Sequence, residues 1–397
     1  MIALTNFNSK LENKNAFLYT LYVLVIVTVA ISLQKYFSGT KHFWDGDYTH
    51  YNNYLIFKNS FRHLIDNVNL YAEYPREYAD FYKYSPSFAL LFSAFYFLPD
   101  WLGLTFWNLT NTLVLFFSIK CLPQFKNSTK LFVIYFIILE LITSLQNSQS
   151  NALITGLLIL SFVSMEKQNY LLAGLFIMLS VYIKIFGLVA CVLALLYPGR
   201  IKLALSCLFW GVPFAFLPLL VISPAELFDQ YNNWLMLLKS DNDLFYGISV
   251  FGIINSWFGI EPSKPIVLIA GIVLFLIPLF RINKYKDYFF RILMLSSVLI
   301  WMVIFNHKAE SPTFIIALSG CVLWFVSSET NRLNISLIVL AFVFISLSPT
   351  DLFPKFLRTD FVVPYSLKAL PAVLIWLKII YEMFNNSTFE IIKPGKG

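Results

Sequence analysis

The sequence predicts an all-α fold, a polytopic transmembrane bundle of about twelve spans with a large first outer loop that carries short interfacial helices. Three observations carry this expectation. Hydrophobic residues make up 58% of the 397 and aromatic residues 18%, with a mean hydropathy of +0.69, whereas soluble domains hold about 45 to 50% apolar residues. Apolar runs at or near the ~20 residues that cross a bilayer follow one another along most of the chain. Lys and Arg gather in the short connections between runs, so the net charge of +7 reads as a topology signal and not as a nucleic-acid footprint.

Taken in order, residues 1–16 are polar, with Lys10 and Lys14, and 17–37 form the first span. No short core followed by an A-x-A-like site marks a cleaved leader, so the expected first span is uncleaved with its amino terminus inside. Residues 38–85 are the longest stretch without a spanning-length run. They hold six carboxylates, five Lys or Arg and three of the four histidines in a chain that is 13% charged. The hydrocarbon core penalises such groups, so this loop is kept in water or at a wet cavity.

Further apolar runs occupy 86–98, 101–122, 131–145, 152–165, 170–183, 186–197, 203–222, 265–280, 288–305, 313–326, 334–347 and 367–384. Basic clusters at Lys120, Lys126 and Lys130, at Arg200 and Lys202, and at Arg281, Lys284, Lys286 and Arg291 place three connections in the cytoplasm. The same rule puts 146–150, Lys184, 223–263, 306–312 and 349–366 outside and both termini inside. An even number of crossings then requires one run not to cross. The run at 86–98 is short and ends at Pro99, and broken segments are tolerated at membrane depth only where protein or a wet cavity surrounds them. In the second sizeable outer loop, 223–263, residues 225–239 place Leu227, Phe228, Tyr231, Trp234, Leu235 and Leu238 at helical spacing, as an interfacial helix or one packed on the outer ends of the spans. The four cysteines lie in or beside apolar runs with no C-x-x-C pairing, which reads as buried free thiols. One membrane-embedded domain over 1–397 accounts for the pattern.

Four polar constellations stand where apolar runs meet the outer side. The first is Asp45-Gly46-Asp47, whose carboxylates could share a cation or supply a general base at a partly desolvated boundary. The second is the 81–86 segment, in which Lys83 lies between Tyr82 and Tyr84 and offers either a phosphate ligand or an interfacial lysine. The third is the amide cluster Gln146, Asn147, Gln149 and Asn151, with Lys184 alone between two runs. A central Lys costs roughly 2.5 to 3.5 kcal/mol in a membrane, so Lys184 needs a partner such as an amide or a phosphate. The fourth is the polar turn with His307, Lys308 and Glu310, which gathers a cation, a neutral acid or base and a carboxylate, or is an ordinary turn.

In their order these residues resemble glycosyltransferase family 87. The elements that carry the likeness are DYTHYNNY from Asp47, FYKYSPSFALL from Phe81, the Gln146-x-x-Gln149-x-Asn151 amides, LLAGLF followed by Lys184, and the late polar turn. The family's Gly-Gln-x-Asn appears as Ser148-Gln149-Ser150-Asn151, and its Lys-x-Pro as Lys184-Ile185-Phe186. The resemblance implies a GT-C class fold and a polyprenyl-phosphate sugar donor, with a glycan or glycolipid acceptor and mannose as the favoured sugar. It also implies Asp47 as general base and an inverting displacement. Lys83, Lys184, His307 and Lys308 are expected to bind the donor phosphate, and Asp45, Tyr48, Tyr51, Gln146, Gln149, Asn151 and Glu310 the sugar or acceptor. The resemblance implies no cofactor and no metal, and partners limited to donor, acceptor and bilayer, without nucleic acid. A flippase of lipid-linked sugars would use the same groups but show repeat symmetry, which is not visible. A scaffold protein would leave the outer Asp, Lys and His unexplained.

Overall fold

The computed structural model describes residues 15–43, 46–240 and 246–385. These are mostly helical with one two-stranded hairpin, and they form two compact units. One comprises Met1–Cys191 with Gly199–Phe245, the other Val192–Pro198 with Tyr246–Gly397.

In the first unit, α1 (Ala16–Phe37) contains neither Gly nor Pro and no charge before Lys35, and at 1.5 Å per residue it extends about 33 Å. It buries Leu24, Thr28, Ile31 and Ser32, which share one face, and leaves Tyr19, Tyr22 and Ile26 exposed. The buried face packs on α5 (Asp100–Lys120). Thr28 and Thr112 hydroxyls meet at 2.9 Å, and Asn108 Nδ2 donates to Ser32 Oγ at 2.9 Å. Hydrogen bonds of this kind hold helices together where lipid removes the hydrophobic drive.

Between α1 and α5 lie the hairpin β1 (Thr40–Phe43) and β2 (Gly46–Thr49), with His42 opposite Asp47, then α2 (Asn52–Ile65). Residues 66–84 fold back over α2. Asn52 clamps Ala79 with two hydrogen bonds of 2.9 Å. Glu77 accepts from Arg62 and, at 3.0 Å, from His63 Nε2, while Tyr74 stacks on the His63 ring at 3.8 Å. Ser85 then caps α3 (Pro86–Leu91), accepting from Phe88 N with Pro86 in the first turn. The apolar run at 86–98 consists of α3 and the four-residue α4 (Ser93–Tyr96), and neither reaches spanning length.

The helices α6 (Asn127–Phe136) and α7 (Ile138–Gln146) meet at a 45° bend. There follow α8 (Asn151–Glu166), α9 (Tyr170–Ile183), a 3-10 helix at Ile185–Leu196, α10 (Arg200–Phe216) and α11 (Pro224–Ser240). A Cβ on Gly156 would come within 2.8 Å of the Leu115 backbone, so α8 and α5 touch main chain to main chain. In the second unit, α12 (Val250–Phe258) ends at Gly259 with φ +62°, followed by α13 (Lys264–Leu276), α14 (Tyr288–Ile304), α15 (Phe314–Ser327), α16 (Arg332–Ala341) and α17 (Leu370–Asn385). Here α14 and α15 are buried along most of their length. Trp376 Nε1 donates to Ser297 at 2.9 Å, and Glu382 accepts from Trp324 Nε1 at 2.8 Å and Ser328 at 2.9 Å.

The helices follow the expected apolar runs closely, and the 170–183 run coincides with α9. Their lengths differ from the expectation. Among the described residues three helices are long and apolar enough to cross a membrane, Ala16–Phe37, Asp100–Lys120 and Arg200–Leu220, or four if the bent α6 and α7 count as one. Seven shorter apolar helices have 10–17 residues, about 15 to 26 Å against a hydrocarbon core of about 30 Å. Bends, 3-10 turns and a π turn at Phe342–Leu347 interrupt the runs. The helix expected at 225–239 is α11, which buries Leu227 and Trp234 while Phe228, Leu235 and Met236 stay exposed. The strands were not expected.

Burial holds His63 below its ordinary 6.5, with Glu77 only partly opposing this. The unfolded chain therefore binds the extra proton, and the contribution of His63 is present above pH 6.5 and lost as pH falls below it. Amide protection over residues 66–84, corrected for intrinsic exchange, is expected to fall in that window. Glu77→Gln is expected to loosen the same segment by about 1 to 3 kcal/mol at neutral pH.

Candidate active site

Lys184 follows the last residue of α9, and Asn151 begins α8, the helix antiparallel to it. Their side chains meet: Lys184 Nζ donates to Asn151 Oδ1 at 2.8 Å. The Asn151 amide in turn donates to Gln149 Oε1 at 2.5 Å, which fixes which end of the amide faces the ammonium. The same ammonium lies 5.8 Å from the Tyr84 ring centre and 5.7 Å from that of Phe186, in cation–π contact with both. The third constellation and Tyr84 of the second are thus one site.

The turn that carries the amides is pinned from two sides. Trp107 Nε1 donates to Ser148 O at 2.9 Å, and Asn53 Nδ2 of α2 donates to Asn147 O at 2.8 Å. Ser148 itself has φ +52°, a left-handed conformation that favours glycine. Gln146 is the last residue of α7, half-buried beside the turn.

Lys83 pairs with Asp80 at 3.1 Å, and its carbonyl accepts from Trp234 Nε1 of α11 at 3.2 Å. Tyr84 is held edge-on by Phe57 of α2 at 4.8 Å, and Ser85 Oγ donates to Tyr182 O of α9 at 2.5 Å. The first loop is therefore fastened to the end of α9 that precedes Lys184. Tyr48 donates to Pro75 O at 3.0 Å. Tyr51 is buried against Tyr36 at 5.7 Å, and burial together with the Asp100 carboxylate pushes its phenol up to about 12.

Asp47 is placed differently from the expected desolvated boundary. Its side chain is 70% exposed and faces His42, Nδ1 to Oδ1 at 3.2 Å. The reason is the hairpin: cross-strand partners point to one face, and two strands alone bury little. Asp45 lies outside the described residues. Among the described residues no three His, Cys, Asp or Glu side chains come together as a metal site.

The fourth constellation belongs to the second unit. Ile248 N donates to Ala309 O at 2.8 Å, and Asn306 Oδ1 accepts from Lys308 N at 3.0 Å. Gly247, with φ +56°, passes so close that a Cβ would lie 2.7 Å from His307 O. The His307 ring meets Phe251 edge-on at 6.3 Å, and Glu310 is exposed. Lys368, only 3% exposed, donates to Ser311 Oγ at 2.7 Å and to Ser311 O at 3.2 Å. This lysine was not expected, nor was Glu140, fully buried in α7. Both carried the signal that marked Lys184, an ionisable residue inside an apolar run.

Ser148 combines its left-handed backbone with a buried hydroxyl that has no hydrogen-bond partner. Ser148→Gly is therefore expected to raise the thermal midpoint in detergent, by about 0.5 to 1 kcal/mol of stability, and Ser148→Val to lower it.

A comparison with curated proteins finds no match. The sequence model of glycosyltransferase family 87 matches residues 81–349, a span that contains Lys83, Gln146, Gln149, Asn151, Lys184, His307, Lys308 and Glu310 and begins after Asp47, Tyr48 and Tyr51. With its apolar helices, its exposed apolar faces and a match over more than half of its length, the chain belongs to glycosyltransferase family 87 and is a membrane glycosyltransferase.

Proposed function

We propose that this glycosyltransferase takes a hexosyl or pentosyl unit, with mannose favoured, from a polyprenyl-phosphate donor and transfers it to a glycan or glycolipid. The reaction takes place on the extracytoplasmic side of the inner (cell) membrane. One domain over 1–397 with about twelve crossings carries the activity, the shorter helices adding to the spans by local thinning of the bilayer and by snorkelling of flanking residues. The observation that carries the reading is the Lys184, Asn151 and Gln149 relay beneath Tyr84. It holds a cation ready between apolar helices, where a lipid-borne phosphate can reach it.

In the proposed reaction the acceptor hydroxyl gives its proton to Asp47 and attacks the anomeric carbon. The bond from that carbon to the phosphate oxygen breaks, with inversion, and the electron pair leaves on the polyprenyl phosphate. Lys184 and Lys83 are the phosphate ligands proposed in the first unit, His307 and Lys308 those in the second. Fixed cations stabilise charge as it develops on the leaving oxygen and need no general acid. Asp45, Tyr48, Tyr51, Gln146, Gln149, Asn151 and Glu310 are assigned to sugar and acceptor. His42 Nδ1, 3.2 Å from Asp47 Oδ1, gives the base a hydrogen-bonding partner. Neither a metal nor a cofactor is called on.

Membranes incubated with radiolabelled polyprenyl-phosphate sugars test the reading. Asp47→Asn is expected to lose transfer by about a hundredfold or more, and transfer at the parent rate with every donor would remove Asp47 as the base. Lys184→Met is expected to lose about as much and Lys184→Arg to keep a measurable part. Treatment with a chelator should leave the rate unchanged. Labelled lipid crossing the bilayer without transfer to acceptor would point instead to a flippase.

A further inference from the structure

At the opposite end of α8 and α9 from Lys184, the turn between the two helices and the first turns of α10 border an open cavity of about 710 Å³. Its polar wall is formed by Lys167, Gln168, Asn169 and Tyr170 from the turn and by Lys202 from α10, and no carboxylate lines it. The turn is rigidly built. Gln168 has φ +57°, and Asn169 Oδ1 caps α9 by accepting from Leu172 N at 3.2 Å. Ser206 and Trp210 of α10 both donate to Leu171 O at 3.0 Å, which fixes the two helices as the sides of the cavity. Lys130 lies within electrostatic reach of Lys167, so a second basic connection adds to the positive field.

The remaining wall is apolar. Leu171, Leu205 and Phe209 line it, and with Leu208 and Val212 they continue as an exposed ridge down α10, where hydrocarbon tails can lie. A water-soluble anion would use only the lysines, and a zwitterionic lipid would leave their two charges uncompensated. An amphiphile with a net negative headgroup uses both walls.

We propose that this cavity seats an anionic phospholipid, its phosphate against Lys167 and Lys202 and its acyl chains along Leu205 and Phe209. The site is separate from the transfer chemistry, because the sixteen residues of α8 separate it from Asn151, roughly 24 Å along the helix. On the proposed orientation it faces the cytoplasmic leaflet, where basic pockets between helices collect such lipids.

The test uses the full-length protein in nanodiscs of phosphatidylcholine alone or with about 30 mol% phosphatidylglycerol as the anionic lipid. Lipids retained after mild delipidation are counted by native mass spectrometry. The parent protein is expected to retain phosphatidylglycerol over phosphatidylcholine by about 25-fold, and Lys167→Gln with Lys202→Gln to lose most of that preference, at about fivefold per lysine. The pair Lys239→Gln and Lys355→Gln makes the same charge change elsewhere and should leave it intact. Lys167→Arg with Lys202→Arg should also keep it, which separates lost binding from lost folding. Equal retention of the two lipids by the parent, retention of phosphatidylglycerol by the Lys167 and Lys202 glutamine pair, or an equal loss in the control pair would overturn the proposal. So would displacement of the lipid by millimolar inorganic phosphate, which would make the site one for a free anion.

Discussion

A cation set between two apolar helices has to be satisfied by the protein, and much of the first unit answers that demand at Lys184. Its first described partner is Asn151, whose amide has only one orientation open to it once Gln149 accepts from the nitrogen. The turn that presents both amides is held by Trp107 and Asn53, and Tyr84 is held by Phe57. Loosening any of these would leave a charge in a medium of low polarity, where an unsatisfied ion is most costly. The loop, α2, α5 and the α8 and α9 hairpin are tied together for this reason.

The strain at Ser148 belongs to the same demand. The turn between α7 and α8 must reverse the chain within a few residues and still aim Gln149 and Asn151 at one ammonium. A left-handed residue makes that reversal, and here it is serine, with its hydroxyl buried and without a hydrogen-bond partner. Tertiary contacts hold it there. A site kept by such means is preorganised, so little reorganisation is left for a bound ligand to bring about.

The second unit shows another solution to the same problem. Lys368 is satisfied by a hydroxyl and a carbonyl of one residue, Ser311, and by the face of Phe314 at 5.2 Å, while Glu382 collects an indole and a hydroxyl and pairs with Lys378 at 3.3 Å. Lys368 and Glu382 each have partners on another element, so the helices cannot slide without exposing a charge to hydrocarbon. Ionisable groups thus fix the register of helices whose apolar surfaces would otherwise pack in several ways.

The amino-acid sequence by itself determined which segments are helical and nearly where each begins, because a helix satisfies its own backbone and its apolar run is local. It also marked Lys184 and the amides as belonging together, since a lone lysine in an apolar run has to find oxygen. The tertiary structure alone decided that Asn151 supplies it, that Asp47 stands exposed opposite His42, that Ser148 is left-handed and that Lys368 closes on Ser311. It also decided how many runs keep spanning length, since the bend between α6 and α7 falls where no Pro or Gly marks it in the sequence. The physical reason is range. Helix formation depends on neighbours within a few residues, whereas the partner of a buried charge lies 33 residues away at Lys184 and 57 at Lys368, and no local pattern encodes it.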